Sequence, residues 1–258
     1  MRKDYHMHPK VIQNPERVEE FVRQAVSKNI MEICITDHMP LSISSASDRL
    51  PKGTVKEYCK RVREFAKRYE GILSIKCGME IDYHSSALDE VEAVLSEGDF
   101  DFLLASSHMH VFVKDYDRYT FNEFAAMALE NSIEAAQTGW FNAITHMDMY
   151  RFAFGNAQRF PLRDDGYDPR KHMDLVDHLF DEILKKEMYL EINPHLAESK
   201  KSLEFVYPQA VFAERALARG VKFSYGSDAH KPESVGALLG ELEAHPVYGI
   251  AMRQWENL

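Results

Sequence analysis

The chain has 258 residues, 45% of them hydrophobic and 28% charged, with a formal net charge of -10. That length can hold one large core, and an acidic balance with no Lys/Arg block along one face argues against nucleic-acid binding through a general basic patch. Three scattered cysteines, Cys34, Cys59 and Cys77, argue against a disulfide framework or a thiolate zinc cluster, and no apolar run reaches the ~18 residues of a membrane span, so a soluble cytoplasmic protein is expected.

Residues 4–8 read as a short extended segment carrying His6 and His8, without an apolar leader before them. Asn14-Pro15-Glu16 then reads as N-cap, first-turn proline and early acid, and Val18, Phe21, Val22, Ala25 and Val26 follow at helical spacing. Residues 31–35 are β-rich and run into Thr36-Asp37-His38. Thr54 opens a second helix with Val55, Tyr58, Val62, Phe65, Ala66 and Tyr69, and Gly71 stops it. A strand over 72–81 carries Glu80 near its end. Ser86 with Asp89 resembles a capping box before Val91, Val94 and Leu95, and the apolar run 100–105 ends in Ser106-Ser107-His108-Met109-His110.

Thr120 with Glu123 is a stronger capping box, and Phe124, Ala128, Leu129 and Ile133 continue its apolar stripe. Ala143-Ile144-Thr145 runs into His146-Met147-Asp148, and Arg151 stands near the start of a long loop over 150–168. Asp168-Pro169 caps a helix bearing Met173, Val176, Phe180, Ile183 and Leu184; a strand over 189–193 carries Glu191 and Asn193. A helix around Val211, Phe212 and Leu217 ends at Gly220. Last come the strand 222–226, the tetrapeptide Ser227-Asp228-Ala229-His230, and a helix from Pro232 to about Ala244.

Strand and helix alternate through seven units with no linker between them, which predicts one domain over 1–258 with a parallel sheet inside and helices outside. In a barrel of such units the site lies where the C-terminal strand ends meet. This chain keeps His6, His8, Asp37, His38, Glu80, His108, His110, His146, Asp148, Glu191, Asn193, Asp228 and His230 there. Imidazoles and carboxylates without thiolates suit Zn, Mn or Fe, and a carboxylate such as Glu80 can bridge two ions. Two ions about 3.5–4 Å apart can bind a phosphoryl group and turn water into hydroxide near neutral pH. By themselves, the residues point to a hydrolase as one chemistry they suit.

His6-x-His8, Thr36-Asp37-His38, Gly78-Met79-Glu80, Ser107-His108, His146 and Ser227-Asp228-Ala229-His230, in that order, resemble the motifs of the PHP (polymerase and histidinol phosphatase) family. His146-Met147-Asp148-Met149-Tyr150-Arg151 is also similar to the HxDLxR segment of its histidinol-phosphate phosphatases. The resemblance implies a distorted (β/α)7 TIM-like barrel holding two or three divalent transition metals. His6, His8, Glu80 and Asp228 would hold the first, with Glu80 bridging to a second held by His108 and His146. His38 and His230 would belong to a third. Family members often supply a further His shortly after HxH, where this chain offers Gln13 and Asn14.

The implied activity is hydrolysis of a small phosphate monoester by a metal-bridging hydroxide, with histidinol phosphate in histidine biosynthesis as the leading substrate. Arg151 would grip phosphate oxygens as a fork, and Asp228 or His230 would protonate the leaving alkoxide. His110, Asp148, Glu191 and Asn193 are candidates for supporting the ligands or touching the non-phosphate end of the substrate. Asp37 is expected to orient a histidine, and His84, His172, His178, His195 and His245 are expected mostly at the surface. Rival readings are a PHP phosphatase for a sugar phosphate or nucleotide and, more remotely, an amidohydrolase-type C–N hydrolase. No nucleic-acid or membrane partner is expected, and the sequence leaves the oligomeric state open.

Overall fold

The computed structural model describes residues 1–258 apart from Ser45, Gly155, Ala157, Arg159, Phe160, Asp164 and Leu258. Seven strands, β1 (Lys3–Asp4), β2 (Glu32–Ile35), β3 (Ser74–Asp82), β4 (Phe102–Ser106), β5 (Ala143–Ile144), β6 (Tyr189–Ile192) and β7 (Lys222–Tyr225), lie side by side in chain order. Every neighbouring pair runs parallel. Parallel neighbours need a crossover to return the chain, and helices outside the sheet supply it. The ends of the sheet meet: Tyr5 donates its backbone N–H to the Tyr225 carbonyl, and Met7 bridges Ala229 in parallel. The result is a nearly closed seven-stranded barrel with helices around it, as the alternation predicts.

The helices form where the apolar spacing places them. α1 (Glu16–Ser27) buries Val18, Phe21, Val22 and Ala25, and α2 (Val55–Arg68) buries Val55, Tyr58, Cys59, Val62 and Phe65. Each large side chain so covered contributes about 1.5–3 kcal/mol. β3 is buried along almost its whole length, the pattern of a parallel strand covered on both faces. Cys34, Cys59 and Cys77 are buried and unpaired. Among the described residues, no helix is long and apolar enough to cross a membrane.

Local signals succeed where a side chain meets a free N–H. Thr120 and Glu123 form the expected reciprocal capping box at the start of helix Phe121–Thr138, and Asp168 accepts from the Arg170 N–H. Three other caps differ from expectation. α1 begins at Glu16 with Pro15 at the cap position and no side-chain bond. Thr54 donates its hydroxyl to the Pro51 carbonyl instead of capping α2. The His84 ring caps a short turn at Ser85–Ala87, so α3 (Leu88–Glu97) opens without Ser86. The expected helix from Pro232 is a short turn followed by Leu239–Ala244, and a further helix, Tyr248–Glu256, buries Tyr248, Met252 and Trp255.

Candidate metal centre

Glu80 lies near the end of β3 and is fully buried. Its Oε2 lies 2.8 Å from His38 Nδ1, 3.3 Å from His6 Nε2 and 3.4 Å from His8 Nε2. Its Oε1 lies 2.9 Å from His146 Nε2 and 3.5 Å from His108 Nε2. Asp228 Oδ1 completes the first side, 3.1 Å from His8 Nε2 and 3.7 Å from His6 Nε2. Donors about 2.1 Å from a tetrahedral ion stand about 3.4 Å from one another, so these spacings match ligands around shared ions. One carboxylate therefore faces two groups of imidazoles with its two oxygens.

The donor set fits a cation better than it fits itself. His8 Nδ1, His38 Nδ1 and His146 Nδ1 are buried without an aligned hydrogen-bond partner, although His38 Nδ1 stands close to Glu80. Burial alone would raise the Glu80 carboxyl, yet His38, His108 and His6 hold it well below the ordinary range. Burial likewise opposes a charged His6, and Glu191, Asp228 and Glu80 overcome it and lift the ring well above its ordinary value. For His8, burial and the neighbouring rings of His38 and His230 win, and its pKa falls. That leaves a neutral His8 ring facing ionised carboxylates, the state in which such residues bind a metal, whereas on His6 a bound cation would have to displace the proton that the carboxylates favour.

Two of the donors stand on backbone that ordinary residues avoid: His146 has φ 26° and Asp228 has φ 53°. Such conformations cost about 1–3 kcal/mol each and persist where the surroundings impose them. Around Asp228 those surroundings include the barrel seam, where the Asp4 carboxylate accepts from the N–H groups of Ser227 at 2.8 Å and Gly236 at 2.9 Å.

Buried carboxylates orient the rings from behind. Glu191 holds His6 Nδ1 at 2.7 Å and accepts from the His146 N–H, the Asn193 amide and the Thr145 hydroxyl. Gly226 makes room for this pair, because a Cβ there would fall 2.2 Å from Glu191 Oε1 and 2.3 Å from the His6 Cβ. Asp82 holds His108 Nδ1 at 2.8 Å and is itself gripped by both terminal nitrogens of the buried Arg49. Burial would raise Asp82, and Arg49 and His108 outweigh it and hold it well below the ordinary range. Carboxylates behind metal-binding imidazoles fix the tautomer and strengthen the ligand. The sequence reading missed Asp82 and Arg49, although Asp82 shares its side of the extended β3 backbone with Glu80.

An open cleft of about 560 Å³ stands over the centre, lined by His38, Arg49, Glu80, His108, Asp228 and His230 with Ile43, Ala46, Val111 and Met149. His110 lines it as well, as does His195, which was expected at the surface. His172, expected there too, is buried. Glu191 and Asn193 do not line the cleft; they bond to side chains around Glu80 from behind. Asn193 donates to both Glu191 Oε2 and Asp228 Oδ2. Asp37 is not seen holding a histidine ring among the described residues; its oxygens accept the N–H groups of Lys10 and Val11, folding the segment after His8.

Arg151 is not brought to this cleft. Its Nε lies 3.1 Å from Asp148 Oδ2, its terminal nitrogens donate to the carbonyls of Glu204 and Val206, and its guanidinium covers the Tyr207 ring. It lines a separate cleft with Ser202, Gln209 and Tyr248. Asp148 turns the same way and accepts the Gln209 N–H at 3.0 Å. The physical reason is the helix Tyr150–Phe154, which carries the chain off the barrel end soon after His146.

The fold and this donor set define a metal-binding (β/α) barrel with its centre at the C-terminal strand ends. Residues 4–195 match the PHP domain, and the chain belongs to the PHP family. A Deinococcus radiodurans protein named "Probable histidinol-phosphatase" is 26% identical over 226 residues, 84% of this chain and 81% of that one. The histidinol-phosphatase of Lactococcus lactis is 24% identical over 88% of this chain and 83% of its own. A crystal structure of histidinol phosphate phosphatase from the same organism, in complex with Zn, L-histidinol and phosphate, superposes with a TM-score of 0.70. That match has 21% sequence identity and covers 90% of this chain and 87% of that one.

Proposed function

We propose that this chain is a metal-dependent phosphate monoester hydrolase whose substrate is histidinol phosphate. The observation that carries the reading is the Glu80 carboxylate, with His38, His6 and His8 at one oxygen and His146 and His108 at the other, beneath an open cleft. The names of the relatives support the substrate. His6, His8, Asp228, Glu80, His108 and His146 would hold two divalent ions, Zn, Mn or Fe by the chemistry of the donors, and His38 with His230 would serve a third. Such ions supply Lewis acidity toward phosphoryl oxygens and a nucleophile drawn from water near neutral pH.

The protein's own part is positioning and proton handling. Glu191 and Asp82 keep the His6 and His108 rings aimed, and the cleft size suits a small metabolite. Asp228 or His230, both on the cleft, would give the proton to the leaving alkoxide, and His110 with Val111 and Met149 would meet the non-phosphate end. Arg151 acts by holding Asp148 and the 204–206 segment in place, and Asp148 by receiving Gln209. We read the chain as one domain working in the cytoplasm, a reading its three buried free thiols support. The test is phosphate release by purified protein supplied with Zn, Mn or Fe. Histidinol phosphate should be turned over ahead of sugar phosphates and nucleotides. Preference for another monoester would move the substrate, and no release from any of them would sink the activity.

A further inference from the structure

One corner of the cleft lies outside the Glu80 centre. His195 begins the short helix His195–Lys200, just past the end of β6. Its backbone N–H donates to Asn193 Oδ1 at 3.0 Å, and Asn193 Nδ2 donates in turn to Asp228 Oδ2 at 3.2 Å. One buried amide thus fixes His195 against Asp228. The His195 Nδ1 lies 3.0 Å from the backbone carbonyl oxygen of Asp228, and the His230 Nδ1 lies 3.0 Å from the same oxygen. A carbonyl oxygen accepts and never donates, so each ring gives it Nδ1–H and keeps the lone pair on Nε2. Metal-binding imidazoles are held in this manner, by a carbonyl or carboxylate on the nitrogen that does not bind the ion.

The two rings stand 5.3 Å apart at 60°, and both line the cleft. Donor atoms of His195, Asp228 and His230 lie within 4.8 Å of one another, and His230 makes a second such group with His8 and His38. Gln13, which follows the HxH segment, uses its amide to bond the Arg49 carbonyl at 2.7 Å. A further ligand is therefore available from the segment after β6.

We propose that His195 is a metal ligand, holding with His230 and Asp228 a divalent transition cation at the rim of the cleft. Two imidazoles and a carboxylate without a thiolate suit Zn or Mn. The inference rests on the proposed reading of this barrel end as a metal centre, and it adds a ligand that no ordered motif of the sequence contains. An ion there lies on the open side of the centre, where an incoming phosphate would meet it.

The test counts ions and needs no substrate. The full chain is stripped with a chelator and titrated with Zn and then Mn, with bound equivalents read by mass spectrometry and affinities by competition against a chromophoric chelator. His195→Ala should bind one equivalent fewer than the parent chain, or hold its weakest equivalent about tenfold or more weakly, with the tighter equivalents unchanged. Ser199→Ala, on the same helix, should keep the full count. If His195→Ala does not fold, His195→Asn serves in its place, judged at an unchanged melting temperature. Equal counts and affinities in parent and variant overturn the proposal while leaving the Glu80 centre standing. A parent chain that takes up no ion overturns both.

Discussion

His146 and Arg151 lie on one short stretch of chain and end in different worlds. His146 sits at the strand end on strained backbone, buried, with Nε2 on Glu80. Arg151 follows five residues later in the helix Tyr150–Phe154, facing away, tied to Asp148, two backbone carbonyls and the Tyr207 ring. A motif thus fixes chemistry at the residue on the strand end, where direction is set by the barrel. Beyond it, direction is set by whichever local element begins next.

The centre should break first at Glu80. Glu80→Gln removes the charge that two groups of imidazoles share, and kcat/KM for the best phosphomonoester should fall by about 10³-fold or more, the scale of several kcal/mol of charge stabilisation. Measured metal content should fall with it. Dialysis against a chelator should give the same loss with the fold intact, and added Zn or Mn should restore turnover; recovery without added metal would contradict the reading. Gly226→Ala drives a methyl into Glu191 and His6, and metal affinity should drop about 10–100-fold, measured by chelator competition.

Arg49→Lys keeps a charge beside Asp82 but cannot form the two parallel bonds, so His108 loses its fixed support and kcat/KM should fall about tenfold. Arg151→Ala should have the smallest effect on turnover, with kcat/KM within about threefold. It leaves the buried Asp148 without its cation, so chemical denaturation should show a loss of about 1–3 kcal/mol. A large rise in KM with unchanged stability would return Arg151 to the phosphate.

The barrel and most of the centre were legible because their signals are local. Alternating apolar runs gave seven parallel strands, and the polar residues that end them converge by topology on one face. Glu80, His6, His8, His108, His146 and Asp228 come together for that reason alone. What was not legible depends on distant pairing. Asp82 joins the site by holding the His108 ring, and its counter-ion Arg49 comes from a different segment, so nothing in the sequence near either residue announces the other. His195 carries no motif of its own, and its place follows from the Asn193 turn and the Asp228 carbonyl. The caps differ at Thr54, whose hydroxyl is turned to donate to the Pro51 carbonyl, and at Ser86, where the His84 ring accepts the Ser86 N–H and takes the capping position.

The seam between β1 and β7 makes one side of the centre the most long-range part of the fold. His8 and Asp228 stand 220 residues apart in sequence and 3.1 Å apart in space, so that side is complete only where the two edges of the sheet meet. The other side, Glu80 with His108 and His146, comes from neighbouring parallel strands and does not depend on the seam. Loosening of the seam would therefore uncouple the two sides, opening the His6, His8 and Asp228 group first, with Asp4 on Ser227 and Gly236 as the clasp that prevents it.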